Sequence, residues 1–188
     1  SHELRSPVTA LSAAVDVLAS RRSEFSDRNQ QAIDITVSQV KRFDRTVLDL
    51  LELSRLDAGA SESSLEYLRL SDLIERIMSR YGFSAIHFDS SVRNVDSAGI
   101  GEDETFIDRR RIERILLNLL ENARDHGGGA TRVGLDRIGT HFHITVDDSG
   151  NGVDPNDRDR IFDRFARATS SRNSTGSGLG LAIVREHA

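Results

Sequence analysis

The chain has 188 residues, with 25 Lys and Arg, 30 Asp and Glu, a net charge of −5 and no cysteine. Disulfides and thiolate metal sites are therefore excluded, and neither the acidic balance nor any basic run indicates nucleic-acid binding. Every apolar run is shorter than the ~20 residues of a membrane span, and no stretch has the pattern of a signal peptide. Tryptophan is absent and aromatic residues are few, so we expect a core of Leu, Ile and Val in one large or two small domains.

The N-terminal residues predict a helix from the start of the chain to about Ser20. Its apolar side chains recur at four-and-three spacing, which makes one buried stripe of Leu4, Val8, Leu11, Val15 and Leu18. His2 lies roughly 200° around the helix from this stripe and is expected to point away from it. The adjacent Glu3 could accept the imidazole proton. The alternative is that His2 has no special role, as is usual for an exposed histidine near a chain end. Pro7, inside the same helix, predicts a kink.

A second helix is predicted from a cap at Ser26 or Asp27 to about 56–59. The four-and-three spacing recurs in it at Ile33, Val37, Val40, Val47 and Leu51, with Asp44 interrupting the stripe. Two amphipathic helices joined by a short turn form an antiparallel hairpin. A lone hairpin buries little apolar surface, so we expect it to pair with a second copy in a four-helix bundle. The alternative is packing on the following domain.

The remaining chain predicts a domain of mixed helices and strands. Residues 60–69 are predicted to be a linker because their first part is rich in Ser and Glu. The elements expected after it are a helix capped by Ser71 and ending at Arg80, a strand at 86–88, a helix from Arg109 to Arg124, and strands at 132–135 and 142–146. This interleaving predicts a two-layer α+β sandwich. The predicted domains are therefore 1–59 and 70–188.

Two segments of the second domain present groups suited to a nucleotide. Asn118 and Asn122 lie one turn apart on a helix face, so their amide oxygens could hold hydrated Mg²⁺, although an exposed polar face has the same pattern. Asp148 follows a predicted strand and precedes Gly150 and Gly152. A carboxylate can only accept hydrogen bonds, so it suits an exocyclic amine such as the adenine N6. An ordinary Asp-Gly turn is the alternative.

Two further segments offer cations and backbone amides. Phe162 and Phe165 are expected to anchor a short helix and to leave Arg164 and Arg167 free to reach phosphates; solvated arginines are the alternative. The glycine-rich segment 176–180 precedes an apolar run, so its amides and a helix N-terminus could face an anion. This segment lacks the Lys-Ser/Thr ending of a P-loop.

Together these segments resemble a known family. Ser-His-Glu-Leu-Arg-Ser-Pro at 1–7 is similar to the phosphoacceptor box of sensor histidine kinases. The four later segments are similar, in the family's order, to the N, G1, F and G2 boxes of the GHKL ATPase fold. The resemblance covers nearly the whole chain. It implies a helical hairpin forming a dimeric four-helix bundle, followed by a two-layer α/β sandwich of the GHKL ATPase type.

The resemblance also implies a function and a role for each site residue. The chain would be a homodimeric kinase core that autophosphorylates from ATP with Mg²⁺ and passes the phosphoryl group to an Asp of a response-regulator receiver domain. His2 would be the phosphoacceptor, Glu3 the acid/base residue, and Ser6 the residue that orients water for dephosphorylation. Asn118 and Asn122 would form the Mg²⁺–phosphate face, with Asn122 the favoured metal ligand. Asp148 would hold adenine, and the other nucleotide-binding residues would be Gly150, Gly152, Arg164, Arg167, Gly176, Gly178, Leu179 and Gly180, with residues 166–175 as the lid.

The sequence departs from the family's pattern at two places. Asp125 and His126 stand where the family often has Lys or Arg followed by Tyr. A negative Asp125 cannot clamp phosphate, so Arg124 or a lid arginine must compensate, or ATP binding is weaker. Ser6 stands where many members have Thr. Serine keeps the hydroxyl group, so the sequence is compatible with phosphatase activity but predicts it less strongly than Thr would. There are two alternative functions. One is a catalytically weak or silent dimeric scaffold or phosphatase for a response regulator, and the other is a GHKL ATPase.

The resemblance also concerns what lies outside this chain. The ATPase domain is expected to continue with further strands after Ala188. Members of the family usually carry membrane spans before this core, so membrane attachment is expected only through segments outside the chain. The core is then expected on the cytoplasmic side, at the inner face of the cell membrane.

Overall fold

The computed structural model describes residues 2–59, 64–92, 103–166 and 176–188, and side chains from residue 6 onward within these ranges. The chain divides into two compact units, one of residues 1–61 with 175–179 and the other of residues 62–174 with 180–188. Within the described ranges, no helix has both the length and the apolar character needed to cross a membrane.

A helical hairpin makes up most of the first unit. Helix α1 (His2–Ser20) and helix α2 (Asp27–Asp57) pack against each other and are joined by a 3-10 turn at Arg22–Glu24. Both predicted helices are confirmed. Val8 and Val15 of the predicted stripe are only 6% and 5% exposed, as a seam between helices requires. Leu11 and Leu18 of the same stripe are 45% and 44% exposed, so the hairpin buries only part of the stripe.

The turn between the two helices is held by one arginine. The Arg22 guanidinium donates to both carboxylate oxygens of Asp34 at 2.7 Å and to Gln30 Oε1 at 2.7 Å. The hydrogen bond from Arg22 lowers the pKa of Asp34. This exposed pair ties the connection to the first turns of α2.

The second unit contains two small sheets. The first pairs β1 (Leu65–Arg69) with β3 (Glu104–Asp108) in antiparallel orientation. The second has the order β2-β4-β5, in which β2 (His87–Ser90) runs parallel to β4 (Ala130–Ile138), and β4 runs antiparallel to β5 (His141–Asp148).

Three helices accompany these sheets. They are α3 (Leu70–Arg80), α4 (Arg109–His126) and α5 (Gly180–His187). The apolar faces of α3 and α4 share one core with alternate residues of β4, and its fully buried members include Leu73, Ile74, Leu116, Leu120, Val133 and Leu135. Helices layered on a sheet by such a core confirm the predicted two-layer sandwich.

Strand β1 corrects the predicted linker. Residues 65–69 lie within the predicted linker 60–69, yet they pair with β3, and Tyr67 lies opposite Phe106. Strand β1 was not predicted because its residues are mostly exposed and show no clear alternation. Pairing between segments about 40 residues apart is not visible in a local pattern.

The start of α3 corrects the predicted cap. Ser71 is buried inside the helix and is not its cap. Instead, Asp103 provides the capping contacts from a distant part of the chain. The Ser71 amide donates to Asp103 Oδ2 at 2.9 Å, and the Leu70 amide donates to the Asp103 carbonyl at 3.0 Å. The carboxyl group of Asp103 is fully buried. The Ser71 bond to Oδ2 and the Arg69 guanidinium, whose Nε lies 3.7 Å from Oδ1, offset part of its desolvation, although Oδ1 accepts no hydrogen bond from the described residues.

Candidate functional site

Helix α4 carries both predicted asparagines and begins at a well-formed cap. Asp108 Oδ1 accepts hydrogen bonds from the amides of Arg110 at 2.9 Å and Arg111 at 3.3 Å, and Oδ2 accepts from the Ser64 amide at 3.1 Å. Burial raises the pKa of Asp108, but the three amide hydrogen bonds together outweigh it and leave the pKa lowered. The cap is therefore an ionised carboxylate at the positive end of the helix dipole.

Asn118 and Asn122 project from α4 one turn apart but in different surroundings. Asn118 is 8% exposed, and its Nδ2 donates to the Arg114 carbonyl at 2.9 Å. Gly180, the first residue of α5, lies so close that a Cβ there would be 2.9 Å from Asn118 Oδ1. Asn122 is only half-buried. Of the two amides, Asn122 is thus the more accessible to a ligand.

Asp148 is the last residue of β5, and two glycines lie close to its side chain. Its Oδ1 accepts a hydrogen bond from the Gly150 amide at 2.8 Å, and the side chain is exposed. A Cβ on Gly127 would overlap the Asp148 carboxyl group, and one on Gly150 would lie 2.8 Å from Gly127 Cα. The end of α4 and the end of β5 can therefore approach only because both positions are glycine.

Gly127 lies against Asp148, although no individual role was predicted for it. The available signal was the run Gly127–Gly129 directly after the asparagine helix. A run of glycines indicates close backbone approach, but it does not identify the carboxylate that is approached.

The neighbouring Asp147 has a different partner. Its Oδ2 accepts from Arg132 Nε at 2.8 Å, which raises the pKa of Arg132. Successive strand residues point to opposite faces, so Asp147 and Asp148 are separated by the pleat. After them, Gly152 adopts φ 75°, a region that favours glycine.

The predicted phenylalanine anchor is only partly correct. Phe162 ends a 3-10 turn at Arg160–Phe162 and is half-buried, but Phe165 is 61% exposed with φ 62°. Phe165 therefore does not anchor a helix, because the helical turn ends before it. Arg164 lies on this segment with a terminal guanidinium nitrogen 3.6 Å from Glu186 Oε1. Of the predicted lid 166–175, residues 167–175, including Arg167, fall outside the described residues.

The glycine-rich segment is divided between the two units. Gly180 groups with α4 and α5, whereas residues 176–179 group with the helical hairpin. Ser177 Oγ donates to Asp49 Oδ2 of α2 at 3.1 Å, and Gly178 adopts φ 73°. Leu179 is fully buried. The nucleotide-binding roles of Gly176, Gly178 and Leu179 stay predictions.

The departure at Asp125 affects the arginine expected to compensate for it. Arg124 Nε lies 2.9 Å from Asp125 Oδ1, and another guanidinium nitrogen lies 4.0 Å from Glu121 Oε1. Arg124 is thus paired with the negative residue beside it, which reduces the positive charge available to a phosphate.

The predicted phosphoacceptor lies at the start of α1. His2 and Glu3 belong to the first turn of this helix, and their side chains are outside the described part of the structure. Ser6 is exposed and follows His2 by four residues, which is about one helical turn.

Two protein families match the two parts of the chain. Residues 1–59 match HisKA, the His Kinase A (phospho-acceptor) domain, and residues 107–188 match HATPase_c, the Histidine kinase-, DNA gyrase B-, and HSP90-like ATPase. The sensor histidine kinase MtrB of Mycobacterium leprae is 35% identical over 191 residues, which cover 100% of this chain and 34% of MtrB. The chain therefore spans about a third of the length of this relative.

Solved structures agree with this similarity. Full-length ShkA in complex with AMPPNP matches with a TM-score of 0.67 and 26% identity, covering 99% of this chain and 38% of ShkA. The histidine kinase ThkA, solved with the response regulator protein TrrA, matches in fold with a TM-score of 0.61 and 22% identity, covering 98% of this chain and 51% of ThkA. These similarities confirm the predicted fold class of a helical hairpin followed by an α/β sandwich.

Proposed function

Because this chain belongs to the sensor histidine kinases, with a HisKA domain followed by an ATPase domain of the histidine kinase type, we propose that it is an ATP-dependent protein-histidine kinase core. One observation carries the proposal. The Asp148 carboxylate accepts a bond from the Gly150 amide and lies against Gly127, at the end of the helix that carries Asn118 and Asn122. In this proposal the carboxylate would bind the base, and the asparagine face of the same helix–strand junction would lie on the phosphate side.

The Asp148 carboxylate supports recognition of adenine. Its Oδ1 is fixed by the Gly150 amide, and the side chain is exposed, so a ligand can reach it. An ionised carboxylate accepts and does not donate, so it favours an exocyclic amine over a carbonyl at that position of the base. Adenine carries an amine at N6 where guanine carries a carbonyl, so this carboxylate favours ATP over GTP.

The asparagine face supports binding of Mg²⁺ with the phosphates. Mg²⁺ prefers oxygen ligands, retains several waters, and would neutralise the charge that builds up on the phosphates. Asn122 is the accessible ligand, whereas Asn118 is enclosed by Gly180 and by its bond to Arg114. We therefore assign metal binding to Asn122 and a supporting role to Asn118.

The phosphoacceptor step uses the first turn of α1. A neutral imidazole nitrogen of His2 attacks the γ-phosphorus, a nitrogen–phosphorus bond forms, and the bond to the ADP oxygen breaks. Glu3 accepts the proton that the imidazole loses. The phosphoryl group then passes from His2 to the carboxylate of an Asp on a receiver domain. Ser6 would position the water that hydrolyses the resulting aspartyl phosphate.

The hairpin supports a homodimer. Leu11 and Leu18 on α1 are 45% and 44% exposed, and Phe43 and Leu50 on α2 are 52% and 47% exposed. Each pair is seven residues apart, so each helix keeps a second apolar stripe outside the hairpin seam. A second copy would cover these stripes in a four-helix bundle.

The cellular setting follows from the length of the relatives. MtrB is about three times longer than this chain, which leaves room for a sensor and for membrane-spanning segments. We propose that such segments anchor the protein and that this core lies on the cytoplasmic side, where ATP and the receiver domain are available.

The test is transfer of label from γ-labelled ATP, with Mg²⁺, to protein extended at both ends. We expect acid-labile label on the wild-type protein and none on His2→Ala. ATP binding without any label on the wild-type protein would reject the kinase proposal and favour a scaffold or a plain ATPase.

The Arg124–Asp125 pair favours a second candidate, a kinase core with weak nucleotide binding that acts mainly as a scaffold or phosphatase for its regulator. Loss of one phosphate-facing cation to an ion pair is the observation behind it. An affinity for Mg·ATP weaker than the cellular ATP concentration, which is in the millimolar range, would support this second candidate.

A further inference from the structure

A buried carboxylate on the hairpin contacts the glycine-rich segment. Asp49 of α2 is only 2% exposed, although it lies on a helix whose other acidic residues are mostly at the surface. Its Oδ2 accepts a hydrogen bond from Ser177 Oγ at 3.1 Å. Burying a carboxylate is costly unless its oxygens are hydrogen-bonded. The bond from Ser177 therefore offsets part of the cost of burying Asp49.

A second contact lies on the same face of α2. Arg42 precedes Asp49 by seven residues, which is about two helical turns. Its guanidinium donates to the Gly176 carbonyl at 3.5 Å, the longer of the two contacts. A cation and an anion of one helix face thus hold two successive residues of the segment.

With residues 176–179 bound to α2, a backbone amide that is predicted to bind phosphate is already hydrogen-bonded. The Leu179 amide donates to Ser177 Oγ at 3.2 Å, while the same hydroxyl donates to Asp49. Serine therefore closes a tight local turn at Gly178. In this arrangement the Leu179 amide is already hydrogen-bonded, so the predicted contact between this amide and a phosphate requires the turn to open.

We propose that Asp49 is a latch: it holds residues 176–179 on α2 through Ser177 and thereby opposes binding of the nucleotide. This inference rests on the proposed kinase function and adds its regulation, since a signal that rearranges the hairpin would release the segment. The regulated ligand is a nucleoside triphosphate whose phosphates compete with Ser177 for the Leu179 amide.

The first test measures the affinity for Mg·ATP by calorimetry. Asp49→Asn keeps the size of the side chain and removes its charge, and we expect roughly tenfold tighter binding, because a hydrogen bond to a charged group no longer has to be broken. Asp44→Asn removes the same charge from the same helix and is expected to change nothing. Unchanged or weaker binding in Asp49→Asn would overturn the latch.

A mutant cycle identifies the partner of Asp49. Ser177→Ala removes the hydroxyl that joins Asp49 to the Leu179 amide, so it should tighten binding at least as much as Asp49→Asn does. Adding Asp49→Asn to Ser177→Ala should change the affinity little, because the bond between the two side chains is already lost. Fully additive effects would mean that Asp49 acts through another group and would overturn the assignment. If Asp49→Asn does not fold, Arg42→Gln is expected to tighten binding by a smaller factor, and no change there would count against the proposal.

A second measurement separates the latch from the kinase function. Amide hydrogen exchange over residues 176–182, without nucleotide, should be faster in Asp49→Asn than in the wild type and unchanged in Asp44→Asn. This readout needs no phosphoryl transfer, so it can succeed even where His2 accepts no label. A protein that labels His2 normally, while Asp49→Asn leaves exchange and affinity unchanged, would reject the latch and leave the kinase proposal intact.

Discussion

Two adjacent aspartates at the end of β5 show how closely the surroundings of a residue define its role. Asp148 is exposed and held by the Gly150 amide, whereas Asp147 is paired with Arg132 at 2.8 Å. The two carboxylates have the same chemistry and neighbouring positions in the chain. Asp148, which has no arginine partner among the described residues, is the one that we propose to bind the base.

The first prediction compares these two carboxylates. Asp148→Asn should weaken ATP binding by roughly 10- to 100-fold, which corresponds to the loss of about 1.5–3 kcal/mol for a hydrogen bond to a charged group. Asp147→Asn is the matched control and should stay within about twofold. Titration with a fluorescent ATP analogue measures both, and equal losses in the two variants would contradict the assignment of adenine to Asp148.

The second prediction concerns the Arg124–Asp125 pair. Asp125→Asn should release Arg124 towards the phosphates and tighten Mg·ATP binding by about threefold, a modest effect because exposed ion pairs are screened by solvent. Glu121→Gln, whose carboxylate lies 4.0 Å from the same guanidinium, should have a smaller effect. An unchanged affinity in Asp125→Asn would show that Arg124 does not act on the nucleotide.

At the scale of single elements, long-range contacts determine how the helices of the second unit begin. Asp103 caps α3 from outside the helix, and Asp108 both caps α4 and accepts a bond from Ser64. Each cap joins a helix start to another part of the chain. The helix that carries the asparagines is thereby fixed at its N-terminal end before any ligand binds.

The third prediction tests the cap of α4. Asp108→Ala should lower the free energy of unfolding by about 1–2 kcal/mol at pH 7, as expected for loss of an N-cap. Because the folded pKa of Asp108 is lowered, its contribution is present above the ordinary carboxyl pKa and is lost as the pH falls through the folded value. Urea unfolding should thus show a smaller difference between wild type and variant below about pH 4.

The control for this prediction is an exposed aspartate in the first turn of α3. Asp72→Ala removes a carboxylate that is not buried, so its effect should stay within about 0.5 kcal/mol. A difference between wild type and Asp108→Ala that does not change between pH 7 and pH 3 would contradict an ionised cap.

At the scale of the whole molecule, the hairpin leaves apolar side chains that its own fold does not cover. Phe43 and Leu50 are about half exposed, at heptad spacing. Exposed apolar stripes of this kind mark an interface with another chain. We therefore expect this chain to form a homodimer.

The fourth prediction tests this interface. The double variant Phe43→Glu with Leu50→Glu should be monomeric at micromolar concentration by sedimentation velocity, while its helix content stays unchanged, because neither side chain is buried in the hairpin. Val17→Glu, 58% exposed in the wild type and about 100° around α1 from Leu18, should stay dimeric. A wild-type protein that is monomeric under the same conditions would reject the dimer.

Local patterns were sufficient for much of the fold. The four-and-three spacing predicted α1 and α2, the Leu-rich face predicted α4, and alternation predicted β4 and β5. These elements could be predicted because the residues that form each apolar stripe or strand face lie only a few positions apart in the chain. The order of the motifs predicted the family for the same reason, since each motif is a short continuous segment.

Contacts between distant residues were beyond such patterns. The pairing of β1 with β3, the Asp103 cap, the position of Gly127 against Asp148, and the bond from Ser177 to Asp49 each join segments at least 20 residues apart. No local periodicity specifies which partner a polar group or a glycine will meet. That choice depends on how the packed helices and strands bring remote backbone together, which exists only once the chain has folded.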